Sequence, residues 1–172
     1  HKLHAYGIGG TLLAWIEKFL SNRIHCIRVK HSFSSASGIR SGVVQGSCIG
    51  PLLFLIFIND LLDMFDTNVV SCKLYADDVK LYTTVRSDVD STNLQGCLDM
   101  ISYWSNEWQL CISKQKCCIF EVKKDSVHFD NSIVYRLGVD DLNCTDTVLD
   151  LGVTIDSHLD FDDHIAAITS TR

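Results

Sequence analysis

The chain has 172 residues, 47% of them hydrophobic, which is enough apolar material for a buried core in one domain, or one plus a fragment, and too much for a disordered segment. Its longest apolar run, "PLLFLIFI" at 51–58, stops at Asn59 and Asp60, far short of the roughly 20 residues a spanning helix needs, and no signal peptide is visible, so a membrane partner and secretion are not expected. The net charge of −6 is divided: residues 1–124 carry 13 Lys and Arg against 11 Asp and Glu, 125–172 carry 2 against 10, and 1–50 carry six against one, so a polyanion contact, if not an ordinary solvated face, belongs to the N-terminal half.

Both ends, His1 and the apolar-periodic "HIAAITSTR", read as cuts through a longer protein. After "YGIGG", Thr11 is a candidate cap for a helix whose Leu12, Trp15, Ile16, Phe19 and Leu20 share a face, a stripe that core packing accounts for. Residues 24–30 and 37–44 read as strands around a Ser-rich turn at 32–37. Gly42, Gly46 and Gly50 then punctuate a loop, and Pro51 suits the first turn of a helix over 51–64. That helix is apolar nearly all round, so burial on most sides is expected. Gln45, beside Gly46, has two readings: a plain turn, or a place where the backbone approaches a ligand and an amide reaches a base or sugar edge.

The stretch "KLYADDVKLY", residues 73–82, alternates on both sides of Asp77 and Asp78, which predicts a tight hairpin. Ala-Asp-Asp offers no Gly for the turn, and two like charges side by side are comfortable only when water screens them or a cation sits between them. A solvated turn and a cation site both remain open on these residues alone. A helix follows from Ser87 to Leu110, with Leu94, Leu98, Ile101 and Trp108 aligned and Trp104 beside them, the tryptophans reading as core. "ISKQKCCIFEV" is a basic turn leading into a strand, and 133–155 reads as short strands ending in "LDLGVTID". The eight cysteines form no C-x-x-C pair, so reduced core thiols are expected. Cys111, Cys117, Cys118 and His128 match no zinc-ligand spacing.

Taken in order, "YGIGGTLLAWIEKFLSNR", "SGVVQGSCIGPLLFLIFINDLL", "KLYADDVKLY" and "WSNEWQLCISKQKCCIF" with "LDLGVTIDSHLDFDDHI" resemble the reverse transcriptase of jockey-like non-LTR retrotransposons. The resemblance covers nearly the whole chain, and the spacing between the stretches also fits. It implies an α+β polymerase palm, a ferredoxin-like antiparallel sheet with helices on one face, present in part and with the start of a thumb. Residues 1–124 correspond to the palm, and 125–172 to its end, the primer-grip-like strands and the entry to the thumb. The implied activity is RNA-directed DNA polymerisation, with RNA template, DNA primer, dNTPs and the rest of a polyprotein as partners, inside the cell in nucleus or cytoplasm.

Carried over by position, Asp77 resembles the metal ligand and Asp78 its supporting neighbour, for two Mg²⁺ ions or Mn²⁺ in the complete enzyme. Tyr75 corresponds to a residue beside the primer end. Gln45 and Gly46 correspond to the loop against template and incoming nucleotide. Lys116 corresponds to a candidate proton donor to the leaving pyrophosphate, although the usual Asn three positions earlier is Ser113. The family's first catalytic Asp lies on a strand ahead of the stretch matched by His1 to Tyr6, so the isolated chain is expected to be inactive. Val44 stands where the loop carries Pro. A non-catalytic relic serving as an interaction module, and an RNA-templated RNA polymerase, are the alternative readings.

Overall fold

The computed structural model describes residues 1–122 and 133–170. The chain forms two compact units, His1–Met64 with Cys72–Lys80, and Phe65–Ser71 with Leu81–Arg172. The boundary expected at 124/125, and His128, lie outside the described residues.

In the first unit, α1 (Lys2–Ala5) and α2 (Gly10–Leu20) precede four short strands, β1 (Arg23–His25), β2 (Arg28–Val29), β3 (Ser32–Phe33) and β4 (Ser37–Ile39). Helix α3 (Gly50–Ile58) then tightens into a 3-10 turn over Asn59–Met64. Lys2 explains how a four-residue helix holds its place. Its Nζ donates to the Phe57 carbonyl at 2.5 Å and to Asp60 Oδ1 at 2.7 Å, and lies 4.4 Å from the centre of the Phe57 ring. Asn59 adds a hydrogen bond to the Tyr6 hydroxyl at 2.8 Å. The end of α3 is thereby tied to the start of the chain.

Three expectations for this unit change. Helix α2 starts two residues earlier than a cap at Thr11 allows, with Gly9 as its N-cap. Its apolar stripe buries only Ile16, while Trp15 stays 52% exposed, stacked on Phe19 at 5.5 Å. Helix α3 buries Gly50, Leu53 and Ile58 but leaves Leu52 58% and Leu55 45% exposed. A helix with no polar face carries no sequence mark of its solvent side, so its pattern could not tell which residues stay wet.

Strands β5 (Ser71–Tyr75) and β6 (Asp78–Tyr82) form the expected hairpin. The second unit is built on α4 (Asp88–Glu107), which buries Ser91, Cys97, Leu98, Ile101 and Trp104. Its start is capped: the Ser87 hydroxyl accepts from the Asp90 N–H, and Asp90 Oδ2 accepts from the Arg86 N–H and the Ser87 hydroxyl, each at 2.9 Å. Trp104 is core as expected, whereas Trp108 is part-exposed beyond the helix end.

After a 3-10 turn at Lys114–Lys116 come β7 (Cys118–Phe120), β8 (Arg136–Leu137), β9 (Asp140–Asp141), β10 (Asn143–Thr145), β11 (Thr147–Asp150) and β12 (Val153–Asp156), then α5 (Asp162–Ser170). The Gln95 side chain clamps β8 to α4, donating to the Arg136 carbonyl at 2.9 Å and accepting from its N–H at 2.8 Å. Leu151 (φ 48°) and Gly152 (φ 87°) make the β11–β12 turn, both left-handed as a two-residue hairpin of right-twisting strands requires. His164 Nδ1 accepts from the Thr154 N–H at 3.3 Å and holds α5 to β12.

The architecture is therefore mixed α and β with small, mainly antiparallel sheets. Among the described residues the strands occur as six separate pairs, of which β7 with β10 is parallel. All eight cysteines are free, but only Cys97 is buried, so the expectation of core thiols holds for that one alone.

Candidate functional site

Two short structures in the first unit carry five of the six residues singled out by sequence. The first is the tip of the β5–β6 hairpin. Strand β5 alternates, with Ser71, Lys73 and Tyr75 exposed and Cys72 and Leu74 turned partly inward. The period-two pattern thus delivers Tyr75 to solvent at the strand end. Ala76 and Asp77 make the turn and Asp78 opens β6. Ala76 has φ 51°, a left-handed conformation that costs an L residue with a Cβ about 1–2 kcal/mol. Asn-Gly or Asp-Gly would have avoided that cost.

Asp77 and Asp78 are both exposed, and neither carboxylate has a hydrogen bond or ion pair among the described residues. Four carboxylate oxygens are therefore open at one tip between two strands. Among the described residues, no group of three or more His, Cys, Asp or Glu is arranged to hold a metal, so the hairpin offers a pair of hard donors and no complete cage.

The second structure is the turn ahead of α3. The Val44 carbonyl accepts from the Ser47 N–H at 3.2 Å, closing a four-residue turn with Gln45 and Gly46 at its two central positions. Gly46 has φ 80°, the value a type II turn requires at its third residue. A Cβ on Gly46 would meet nothing within 4 Å, so one side of this backbone lies open. Gln45 and Gly46 are both exposed.

Sequence reasoning missed the residues that hold this turn. The Ser47 hydroxyl donates to the Val44 carbonyl at 2.6 Å and accepts from the Gly50 N–H at 3.0 Å, filling one of the open donors at the start of α3. Gly50 is needed for the fit: a Cβ there would lie 2.8 Å from both Ser47 Oγ and the Val44 carbonyl oxygen. A Ser three residues before the first helical residue, two ahead of the N-cap Ile49, was the available signal. Arg23 braces the preceding loop, with Nε on the Leu20 carbonyl at 2.9 Å and NH2 on those of Ser41 and Gly42 at 3.1 and 2.6 Å.

Lys116, the sixth residue, sits in the second unit at the end of the 3-10 turn, exposed, with its backbone N–H on the Ser113 carbonyl at 2.9 Å. Its neighbour Lys114 pairs with Asp140, whereas the Lys116 ammonium has no partner among the described residues. Cys117 beside it has its thiol pKa raised by burial and by Cys118, so it stays protonated at neutral pH. No helix among the described residues is long and apolar enough to cross a membrane.

Residues 1–154 match the family model for reverse transcriptase (RNA-dependent DNA polymerase). The chain is 31% identical over 171 residues to the RNA-directed DNA polymerase from mobile element jockey of Drosophila melanogaster, covering 89% of this chain and 17% of the relative. It is 29% identical over 167 residues to the probable RNA-directed DNA polymerase from transposon BS of the same fly, covering 90% and 18%. The Drosophila funebris jockey polymerase is 30% identical over 167 residues, covering 91% and 18%. The chain thus spans less than a fifth of the length of these relatives. No solved structure matches it at a significant level. With a family model matched over residues 1–154 and the jockey and BS polymerases matched over most of this chain, the chain belongs to the reverse transcriptase (RNA-dependent DNA polymerase) family, of the non-LTR retrotransposon type.

Proposed function

We propose that this chain is the palm segment, with the start of a thumb, of an RNA-directed DNA polymerase that extends a DNA primer on an RNA template within a retrotransposon polyprotein. The observation that carries the reading is the hairpin tip. A pair of exposed, unpartnered carboxylates stands on a turn that Ala76 holds in a costly conformation, and such strain is kept where the position of a group matters more than local stability.

The donor set fits part of a divalent-metal site. Asp77 and Asp78 are hard oxygen donors, no cation of the described chain neutralises them, and strands on both sides limit their movement. A further Asp, which the family carries on a strand ahead of the stretch matched by His1 to Tyr6, would complete it. Bound there, Mg²⁺ or Mn²⁺ would acidify the primer 3′-hydroxyl and neutralise charge on the triphosphate.

The chain's own residues then divide the work. Asp77 and Asp78 supply the ligating oxygens, and Tyr75 lies one turn residue away, where a primer end would rest. The turn at Gln45 and Gly46 offers an amide side chain and an uncovered backbone to the template and the incoming dNTP. Lys116 is the group that would hand a proton to the leaving pyrophosphate. Residues 1–124 make the palm in this reading, and 125–172, with the β11–β12 hairpin as primer grip, lead to the thumb.

The test is primer extension on homopolymer RNA with dNTPs and Mg²⁺, using a protein in which a family-type strand bearing that Asp is joined ahead of this chain. Asp77→Asn should lower extension by two or more orders of magnitude, since ligand loss removes several kcal/mol of charge stabilisation, at about 1.36 kcal/mol per tenfold. Its circular dichroism should match wild type, because the carboxylate has no partner to lose. A folded but inert wild type would replace this reading with that of a non-catalytic interaction module. Extension with NTPs in preference to dNTPs would make it an RNA polymerase.

A further inference from the structure

From Lys18 to Asn59 the chain contains no Asp or Glu, and within that window Arg23, Arg28, Lys30 and Arg40 fall between residues 23 and 40 with His25 and His31 among them. The structure turns this composition into a single projecting ribbon. Strands β1 and β4 pair antiparallel, Arg23 opposite Ile39 and His25 opposite Ser37, and β2 and β3 continue the ladder with Arg28 opposite Phe33. Across the irregular step between the two pairs, the Ser34 N–H donates to the Ile27 carbonyl and the Ile27 N–H to the Ser34 hydroxyl, both at 2.9 Å. Lys30 and His31 form the tip, Lys30 with φ 55°.

Every residue from 24 to 38 is exposed, on both faces of the ribbon. Arg23 is spent on the carbonyls at the root, but the side chains of Lys30, His31 and Arg40 have no partner among the described residues, and the Arg28 guanidinium makes one hydrogen bond, from Nε to the Lys30 carbonyl at 3.0 Å. The Arg28 guanidinium lies 5.5 Å from the centre of the Phe33 ring, and Phe33 is 63% exposed. An exposed two-stranded ribbon with unpaired cations and an uncovered aromatic face needs a partner that supplies both negative charge and a flat apolar surface.

We infer that residues 23–40 form a binding arm for single-stranded nucleic acid, separate from the Asp77–Asp78 tip. Arg28, Lys30 and Arg40 engage successive phosphates, and the Phe33 ring, with Arg28 over it, takes the face of an unpaired base. A duplex satisfies the charges but keeps its base faces stacked, so the single strand is the occupant that uses the whole ribbon. An acidic protein surface would use the charges and leave Phe33 idle. The contact needs neither the metal nor an intact catalytic site, and it holds for an inactive copy as well.

The test is fluorescence anisotropy of a labelled oligouridylate of about 20 nucleotides with the chain in EDTA, at about 50 and 200 mM salt. Binding should weaken with salt. The triple variant Arg28→Gln, Lys30→Gln, Arg40→Gln should lose at least about tenfold in affinity and flatten the log–log salt slope by about 2, at roughly 0.7 per phosphate contact on a single strand. Phe33→Leu should lose about fivefold or more without changing the slope, because stacking is not a counterion effect. Lys18→Gln removes one charge outside the ribbon and should leave the affinity within about twofold. All these positions are exposed, so circular dichroism should be unchanged and loss of folding can be told apart. Wild-type affinity and slope in the triple variant, or wild-type affinity of Phe33→Leu for the oligouridylate, would overturn the inference. Because no nucleotide is incorporated, these results stand apart from the outcome of primer extension.

Discussion

Replacing Gly50 by Ala places a methyl group against the turn that presents Gln45 and Gly46. The new carbon would lie 2.8 Å from Ser47 Oγ and from the Val44 carbonyl oxygen, and 3.7 Å from Val43 Cγ2. The hydroxyl can rotate away, but only by giving up its bonds to the Val44 carbonyl and from the Gly50 N–H, at about 1 kcal/mol each. The carbonyl is backbone and moves only with the turn, an overpacking cost of about 1–3 kcal/mol. Against this, Ala gains at most about 1 kcal/mol over Gly in helix propensity. The net expectation is a loss of about 2 kcal/mol, or a urea midpoint lower by about 1 M for a slope near 2 kcal/mol/M. Gly96 supplies the internal comparison: it lies inside α4, and a Cβ there would meet nothing within 4 Å. Gly96→Ala should therefore raise the midpoint, by about 0.5–1 kcal/mol of stability. Urea titration followed by circular dichroism reads both variants. If Gly50→Ala shifts the midpoint upward like Gly96→Ala, the close approach of the helix start to the turn is not what holds this loop.

Ala76→Gly should stabilise the hairpin by about 1 kcal/mol by removing the Cβ from a left-handed position, read as a higher midpoint in the same titration. Ser87→Ala should cost about 1 kcal/mol through the lost α4 cap. The Asp90 carboxyl is held below its ordinary 3.8 first by the Arg86 N–H and then by the Ser87 hydroxyl, so its contribution is complete above 3.8 and is lost as the pH falls through the lower folded value; acid melts of wild type and Asp90→Asn should differ above that window and converge below it. Burial raises the Cys97 thiol pKa, so mass-resolved alkylation at neutral pH should label the exposed Cys26, Cys48, Cys111, Cys118 and Cys144 first and Cys97 last; early labelling of Cys97 would contradict its packing. Val44→Pro should raise primer extension modestly in the longer protein, since stiffening the turn saves about 0.4–1 kcal/mol of ordering.

Local patterns were the legible part of this molecule. The period-two run around Asp77 and Asp78 gave the hairpin, and the spacing of Leu94, Leu98, Ile101 and Trp108, with Trp104 beside them, gave α4, although of these only Leu98, Ile101 and Trp104 are buried and Trp108 is part-exposed. Both signals are complete within about 20 residues of chain. What sequence could not supply was what lies opposite each apolar surface. The stripe on α2 identified a face, yet only Ile16 of it is covered, and the all-apolar α3 left Leu52 and Leu55 in solvent. Long-range ties were equally silent, as with Lys2 on Asp60, because neither residue carries a local mark of its partner. The site divided in the same way. The motif residues were visible as motifs, while the way Ser47, Arg23 and Gly50 position Gln45 and Gly46 emerged only from distances.

The strands as six separate pairs have a consequence for the timescale on which the backbone opens. In a two-stranded ladder every strand is an edge, and an amide is shielded only by the partner on one side. Opening such a pair exposes few neighbours, so its protons should exchange with solvent through local excursions rather than through unfolding of a whole unit. Helix α4 differs, because its 20 residues are closed by their own hydrogen bonds and its inner face is buried. The slowest-exchanging amides should therefore gather along Leu98 to Trp104. The tip at Asp77 and Asp78 should exchange earlier, through brief openings of the pair, between which the two strands still hold the carboxylates in place while the helix stays closed.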